Sequence, residues 1–176
     1  MVERVLALDL AERNVRWASR RYRHQKLRFR REDANQLLED RLDLVVASNV
    51  LEHLEDPDPL IANLHTCLEP EGRWIVAVPP IRNEFEMDLN RANPFHVCNR
   101  TIEEWTDTFR AEGWHVCHWR HTHEHLESLD FSSPLRSRWK PSDFVFEAAT
   151  LERMYQQPTL SAVFELRVPK AKCGSH

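Results

Sequence analysis

Two stretches of the chain decide its fold: Asp43-Leu-Val-Val-Ala-Ser-Asn-Val-Leu-Glu-His-Leu54 and Gly72-Arg-Trp-Ile-Val-Ala-Val-Pro79. Within them, Leu44–Ala47 and Trp74–Val78 are apolar at every position, which is typical of strands covered on both faces in a parallel sheet. A helix is predicted between the two strands, because apolar residues recur there at helical spacing: Leu60, Ile61, Leu64 and Leu68. This strand–helix–strand unit predicts an α/β fold.

The remaining elements follow from the same periodicities. Strands are predicted at Val5–Leu8, Leu27–Arg30, 114–119 and 160–168, and helices at Glu12–Tyr22, at Pro59 after an Asp58 N-cap, and between a Thr101/Glu104 capping box and Gly113. Residues 70–72 predict a type I turn and residues 79–100 a long loop. Residues 120–158 predict an irregular insertion with one short helix around 144–155. Together these elements predict one domain over 1–176 with a doubly wound, mostly parallel, Rossmann-like sheet and an antiparallel last strand at its edge.

The composition excludes several functional classes. The 176 residues are 41% hydrophobic and 30% charged, with a net charge of -4 and a pI near 6.2, so neither nucleic acid nor a membrane is expected as a partner. The basic run between Arg20 and Arg31 is explained by a solvated surface or by a polyanion site. Four cysteines without C-x-x-C spacing suggest free thiols, and a cytoplasmic protein is expected.

Polar residues follow several predicted strands, where ligands bind in open α/β sheets. Their order along the chain resembles that of the class I S-adenosylmethionine (SAM)-dependent methyltransferases. The resemblance covers roughly residues 5–119 and rests on the following matches: Asp9, Asp33-Ala34, Asn49-Val-Leu-Glu-His-Leu54, Leu68-Glu-Pro-Glu-Gly-Arg73 and His96. It implies a SAM cofactor and a methyltransferase activity.

The resemblance also implies roles for individual residues. Asp9 would bind the ribose hydroxyls, which a carboxylate at a strand end can accept bidentately. Asp33 and Ala34 would meet the adenine, Asn49 would line the methionine pocket, and His96 would stand near the methyl acceptor. Two alternatives stay open: Asp9 could cap the following helix, and Asp33 could be a turn residue.

A metal site is a further implication of the resemblance. The small-RNA 3′-end methyltransferases and the ubiquinone-pathway O-methyltransferases look similar here, and they hold a divalent metal with a Glu-x-x-Glu-His set. Glu52, His53 and His96 would bind an ion such as Mg²⁺, although Asn49 replaces the first glutamate. In the alternative interpretation, His53 packs under the sheet end and Glu52 forms a surface salt bridge.

One expected part of the fold has no counterpart in the sequence. In the resembling family a strand and a glycine-rich loop precede the Val5–Leu8 strand, whereas this chain has only three glycines. Either the full protein, a partner chain or a second subunit completes the sheet, or the chain is a reduced remnant in which Val5–Leu8 pairs directly with Leu44–Ala47.

The sequence therefore supports three functional hypotheses. The first is a SAM-dependent methyltransferase acting on an oxygen of a small hydroxylated or sugar-like acceptor. The second is a non-catalytic interaction module, or a fragment that cannot bind cofactor alone. The third is a metal-binding protein centred on His121, His123 and His125, which would point to one side of an extended segment.

Overall fold

The computed structural model describes residues 2–36, 41–123, 144–157 and 159–169. The strands are β1 (Val5–Asp9), β2 (Leu27–Arg31), β3 (Leu42–Ser48), β4 (Leu68–Val78), β5 (His115–His123), β6 (Phe144–Ala149) and β7 (Ser161–Arg167). The α-helices are α1 (Glu12–Arg21), α2 (Asp58–Cys67), α3 (Glu84–Arg91), α4 (Ile102–Ala111) and α5 (Leu151–Gln156), and single 3₁₀ turns occur at Ala34–Gln36 and Leu51–His53. None of the described helices is long and apolar enough to cross a lipid bilayer.

The strands form two sheets. β1 and β2 pair in parallel, and a second sheet has the order β3-β4-β7-β5-β6. β3 and β4 are parallel, whereas β7 runs antiparallel to both β4 and β5, so that β3, β4 and β5 share one direction. The α/β, Rossmann-like class predicted from the sequence is confirmed, as is the antiparallel last strand.

The core lies between this second sheet and the helices α2 and α4. The apolar stripe of α2 is buried as predicted, and α4 begins with the predicted capping box of Thr101 and Glu104. Gly113 follows α4 at φ 83°, a left-handed conformation that a residue with a Cβ adopts only under strain. Trp74 and Phe109 are fully buried and meet edge to face, with ring centroids 5.9 Å apart.

The second half of the chain differs from the prediction. β7 is not an edge strand but the middle strand of its sheet, because β5 pairs with it on the far side from β4. The predicted irregular stretch 120–158 contains the end of β5, all of β6 and the helix α5. That helix begins at Leu151, after the capping residue Thr150, and not near residue 144. Residues 124–143 and 158 lie outside the described residues.

Three local predictions are also corrected. The predicted loop at 79–100 contains α3, which buries Met87 but leaves its two larger apolar side chains, Phe85 and Leu89, exposed. The predicted turn at 70–72 lies inside β4, where the register against β3 shifts between Leu42 and Leu44. Gly72 fits there because a Cβ would lie 2.8 Å from two backbone oxygens. At α2 the N-cap position falls on Pro57, without a side-chain cap.

β1 and β3 do not pair with each other. The remnant interpretation, in which these two strands are neighbours, is therefore wrong. Each of them has a described partner on one side only, β2 for β1 and β4 for β3. Leu44 and Val46 alternate along β3 and remain 56% and 64% exposed, which is unusual for a parallel strand of this apolar composition.

Candidate functional site

The residues matched to the cofactor site follow the carboxyl ends of three strands, of which β1 and β2 are parallel to each other. Asp9 ends β1, Asp33 follows β2 and Asn49 follows β3. The Asn35 side chain next to Asp33 donates a hydrogen bond to the Asp56 carbonyl oxygen at 3.2 Å, which joins the loop after β2 to the loop after β3. These two loops therefore meet at the edge of the sheets where ligands bind in this class of fold.

Both carboxylates at this edge already have local partners. Asp9 accepts hydrogen bonds from the Ala11 amide at 2.8 Å and from the Asn14 side chain at 2.9 Å. Ala11 is the N-cap residue of α1, which has no side-chain cap, so Asp9 contacts the start of the helix without capping it. Asp33 accepts from the Asn35 amide at 3.0 Å, as a turn residue does. An ionised carboxylate has about four acceptor positions, so neither contact uses up the group.

Asn49 has the one left-handed non-glycine backbone among the described residues, with φ 52°. Its amide donates to the Ala77 carbonyl oxygen at 2.8 Å and so extends the β3–β4 pairing by one residue. The chain then turns sharply into the Leu51–His53 3₁₀ turn. A backbone conformation of this kind costs on the order of 1 kcal/mol and is frequent at functional sites.

Glu52 is the most unusual side chain of the site. It is 1% exposed, and neither carboxylate oxygen makes a hydrogen bond of normal geometry with a described residue. Burial raises the pKa of Glu52, and its own backbone amide and the nearby His53 ring oppose that effect in part. A buried acid without a partner costs folding free energy, and this cost suggests a group that serves a ligand.

His53 and His96 stand beside this carboxylate. One potential ligand atom from each of Glu52, His53 and His96 lies within 4.8 Å of the other two, and the two imidazole centroids are 4.9 Å apart. The alternative interpretation places His53 under the sheet end and Glu52 at the surface. The structure shows the opposite, because the His53 side chain is 41% exposed and the Glu52 side chain 2%. The structure thus brings together the three residues that the sequence predicted as metal ligands.

Each imidazole is oriented through its Nδ1 atom. His53 Nδ1 lies 2.8 Å from the Phe95 carbonyl oxygen, and His96 Nδ1 lies 2.6 Å from the Asn90 side-chain oxygen. Burial lowers the pKa of His96, and the positive charge that His53 can carry lowers it further. His96 is therefore neutral at pH 7 and able to accept a proton or bind a metal ion.

Asn90 and Asn99 are site residues that the sequence did not reveal. Asn90 lies in the last turn of α3, and its amide donates to the Asn99 side-chain oxygen at 2.6 Å. Asn99 in turn donates to the His96 carbonyl oxygen at 2.8 Å. The segment carrying His96 is also joined to the site through its backbone, because the Cys98 amide donates to the Glu52 carbonyl oxygen at 3.1 Å.

The histidine cluster in β5 is arranged differently. His121 stacks on Phe146 of the neighbouring strand, with ring centroids 4.6 Å apart. His125 lies outside the described residues. Within the part of the chain that the structure describes, Glu52, His53 and His96 form the one group of at least three potential metal ligands.

Comparison with known proteins gives two findings. Residues 1–76 match a family model described as a methyltransferase domain. No curated protein matches the chain.

Solved structures extend the likeness to nearly the whole chain. A SAM-dependent methyltransferase from Thermotoga maritima superposes with a TM-score of 0.66 at 17% identity, covering 94% of this chain and 72% of that one. A methyltransferase of Haloferax volcanii in complex with the Trm112 methyltransferase activator superposes with a TM-score of 0.69 at 19% identity, covering 95% of this chain and 73% of that one. A SAM-dependent methyltransferase from Mesorhizobium loti superposes with a TM-score of 0.63 at 15% identity, covering 94% of this chain and 81% of that one. At these identities the likeness establishes the fold.

Proposed function

We propose that the chain is a SAM-dependent methyltransferase that methylates an oxygen atom of a small hydroxylated or sugar-like acceptor. Its fold and the match of residues 1–76 to a methyltransferase-domain model support this activity. The observation that carries the choice of acceptor is the neutral imidazole of His96 beside the buried carboxylate of Glu52. A hydroxyl group must lose its proton as it is methylated, whereas many other nucleophiles need no such base.

The cofactor would lie along the carboxyl ends of β1, β2 and β3. Asp9 would accept hydrogen bonds from the ribose hydroxyls through the acceptor positions that α1 leaves open. Asp33 and Ala34 would contact the adenine, and Asn49 would line the methionine end. The link between the loops after β2 and β3 supports this arrangement, because it holds the adenine side and the methionine side together.

Methyl transfer would require little more than alignment and a base. The acceptor oxygen attacks the methyl carbon of the sulfonium, the carbon–sulfur bond breaks, and S-adenosylhomocysteine leaves as a neutral thioether. The hydroxyl proton passes to His96 through the nitrogen that faces the site. His96 would therefore be the catalytic residue of this chain.

A divalent metal ion fits the same group of residues. The buried Glu52 carboxylate has no hydrogen-bond partner among the described residues, and the two imidazoles lie beside it, so the donor set matches what such ions require. Glu52, His53 and His96 would hold the ion. A bound ion would use the lone pair with which His96 otherwise accepts a proton. It would instead lower the pKa of a coordinated hydroxyl group, so that the proton is lost to water.

Calorimetric titration with S-adenosylhomocysteine tests the cofactor site. We expect measurable binding, and we expect Asp9→Asn to weaken it by roughly 10- to 100-fold, because a charge-assisted hydrogen bond contributes about 1.5–3 kcal/mol. Asn14→Ala is the matched control, since it removes a bond to Asp9 from the helix side only. Absence of heat at millimolar ligand from folded protein, or equal affinities of both variants, would contradict the proposal.

A second candidate function is that of an interaction module. It is favoured by the edges of β1 and β3, which no described strand covers, and by the exposed Leu44 and Val46. A partner chain or a second copy of this chain would complete the sheet there with an apolar strand parallel to both. In that case the titration would show S-adenosylhomocysteine binding only after the partner is added.

A further inference from the structure

The orientation of the His96 ring is fixed by a chain of hydrogen bonds that can run in one direction only. It starts at the His96 carbonyl oxygen, which can only accept, and which lies 2.8 Å from the Asn99 side-chain nitrogen. The Asn99 oxygen therefore faces Asn90 and accepts from its amide nitrogen. This leaves the Asn90 oxygen toward His96, 2.6 Å from Nδ1. Since that oxygen can only accept, Nδ1 of His96 must carry the proton.

The proton on Nδ1 determines what the other ring nitrogen can do. A neutral imidazole with hydrogen on Nδ1 has a lone pair on Nε2. The same reasoning applies to His53, whose Nδ1 faces the Phe95 carbonyl oxygen at 2.8 Å. Both histidines thus present an Nε2 lone pair while Glu52 presents a carboxylate without a hydrogen-bond partner. One potential ligand atom of each of the three residues lies within 4.8 Å of the other two, and His53 Nε2 lies 4.0 Å from Glu52 Oε1.

We propose that Asn90 and Asn99 are positioning residues that hold His96 in its Nδ1–H tautomer for metal binding, and that the Glu52, His53 and His96 site selects a borderline divalent cation such as Zn²⁺ or Co²⁺ over Mg²⁺. Two imidazoles and one carboxylate suit the borderline metals, whereas Mg²⁺ prefers an all-oxygen shell. The proposal extends the proposed function by naming the metal class and the residues that prepare the site.

Three protein ligands leave room for a hydroxylated molecule. Structural zinc sites have four protein ligands, whereas catalytic sites have three and one open position. The ligand atoms now lie within 4.8 Å of one another, and metal–ligand bonds of about 2.0–2.1 Å would draw them closer. The Glu52 carboxylate can adjust for this, because it has no hydrogen bond to break.

Direct metal titration tests the proposal without cofactor or activity, so it can fail independently of methyl transfer. Co²⁺ is the probe, because its visible absorption reports three or four nitrogen and oxygen ligands. We expect Zn²⁺ to displace Co²⁺ at equimolar concentration, and millimolar Mg²⁺ to leave the spectrum unchanged. Displacement of Co²⁺ by Mg²⁺, or absence of a Co²⁺ spectrum, would overturn the metal assignment.

Two variants of Asn90 test the positioning role. Asn90→Leu removes the acceptor for Nδ1–H, and we expect Co²⁺ affinity to fall about 10- to 100-fold, the usual effect of losing such an orienting partner. Asn90→Asp keeps an acceptor for Nδ1–H, so its Co²⁺ affinity should stay within about 3-fold of the wild type. This is far less than the roughly 100-fold loss that is the upper limit for Asn90→Leu. If Asn90 only supported folding, the Co²⁺ affinity would not depend on whether the new side chain can accept a hydrogen bond.

Nitrogen NMR of the imidazole rings gives a second readout in metal-free protein. We expect the Nδ1–H form of His96 in the wild type and in Asn90→Asp, and a shift toward Nε2–H in Asn90→Leu. If Asn90→Leu fails to fold, Asn99→Ala replaces it, since it removes the group that orients the Asn90 amide. An unchanged tautomer together with unchanged Co²⁺ affinity in the variant that folds would overturn the proposal.

Discussion

Glu52 and His118 are both buried ionisable groups, and they differ in what surrounds their polar atoms. They are 1% and 7% exposed, and burial is the main cause of the shifted pKa in each. His118 lies 3.0 Å from the Thr106 hydroxyl, whose own hydrogen is donated to the Ile102 carbonyl oxygen. His118 must therefore donate from Nε2, and that bond is satisfied. Glu52 has no such hydrogen-bond partner among the residues that the structure describes.

The difference separates a structural group from a functional one. Each buried polar group costs free energy that a hydrogen bond can offset. The His118–Thr106 contact offsets the cost within the fold, between β5 and α4. The cost of Glu52 is left for a ligand to offset, and one potential ligand atom of each of His53 and His96 lies within 4.8 Å of its carboxylate. Predictions for the two groups should therefore have opposite signs.

The largest expected effect is that of Glu52→Leu. Removing a direct ligand should lower Co²⁺ affinity more than about 100-fold, which is the upper end for an orienting partner alone. In metal-free protein the same change should raise the free energy of unfolding by about 1–3 kcal/mol, because it removes an unpaired buried polar group. Urea denaturation in the presence of a chelator measures this gain.

Glu86→Leu is the control for that experiment. Glu86 is also a glutamate but less buried, with 22% of its side chain exposed, and its carboxylate accepts from the Arg82 amide at 2.7 Å. We expect this variant to lose stability, by about 1–3 kcal/mol. A loss of stability in both variants would mean that Glu52 has a favourable role in the metal-free fold, and the contrast with His118 would fail.

His118 predicts a pH dependence of stability. Burial, with a smaller effect from Arg110, lowers the pKa of His118 from 6.5 to about 4. Between these pH values the unfolded chain binds a proton that the folded protein excludes, so stability rises with pH across this window and is lost as pH falls from 6.5 to 4. The shift corresponds to at most about 3 kcal/mol.

Denaturation curves at several pH values measure this effect. Other acidic groups also respond to acid, so the informative quantity is the difference between the wild type and His118→Gln. Glutamine can donate to Thr106 but does not titrate, and its pH dependence should be flatter between pH 4 and 6.5. Equal slopes for the two proteins would mean that His118 is not held neutral in the fold.

The fold was largely predictable from the sequence where apolar pattern and local signals agree. β3 and β4 have uninterrupted apolar runs, and α4 has a capping box and a glycine stop. β6 and α3 were missed because exposed residues supply much of their apolar character, such as Val145 and Phe146 in β6. Their stability comes from pairing and from contacts across the chain, which a local pattern does not contain.

The site was predictable in its members but not in its environment. Asn49, Glu52 and His53 are close in sequence, and a strand end made them candidates. The sequence could not tell that Glu52 is buried while His53 is exposed, because a single turn decides which side chain faces the core. Asn90 and Asn99 had no sequence signal, since their role depends on the return of a distant loop to Glu52.

A further expected effect concerns the partner of His118. Thr106→Val removes the acceptor of the Nε2–H bond and leaves a buried donor unpaired, so we expect a loss of about 1–3 kcal/mol in urea denaturation. Thr108→Val is the matched control, two residues further along α4. Its hydroxyl also donates to the carbonyl four residues earlier, at 2.8 Å, and accepts from Arg100 at 3.0 Å. Because water can reach that group, the loss there should be within about 0.5 kcal/mol. Equal losses would mean that the destabilisation comes from losing the threonine hydroxyl bond to the helix carbonyl and not from the unpaired imidazole. Hydrogen bonding of the buried polar atoms would then not distinguish His118 from Glu52.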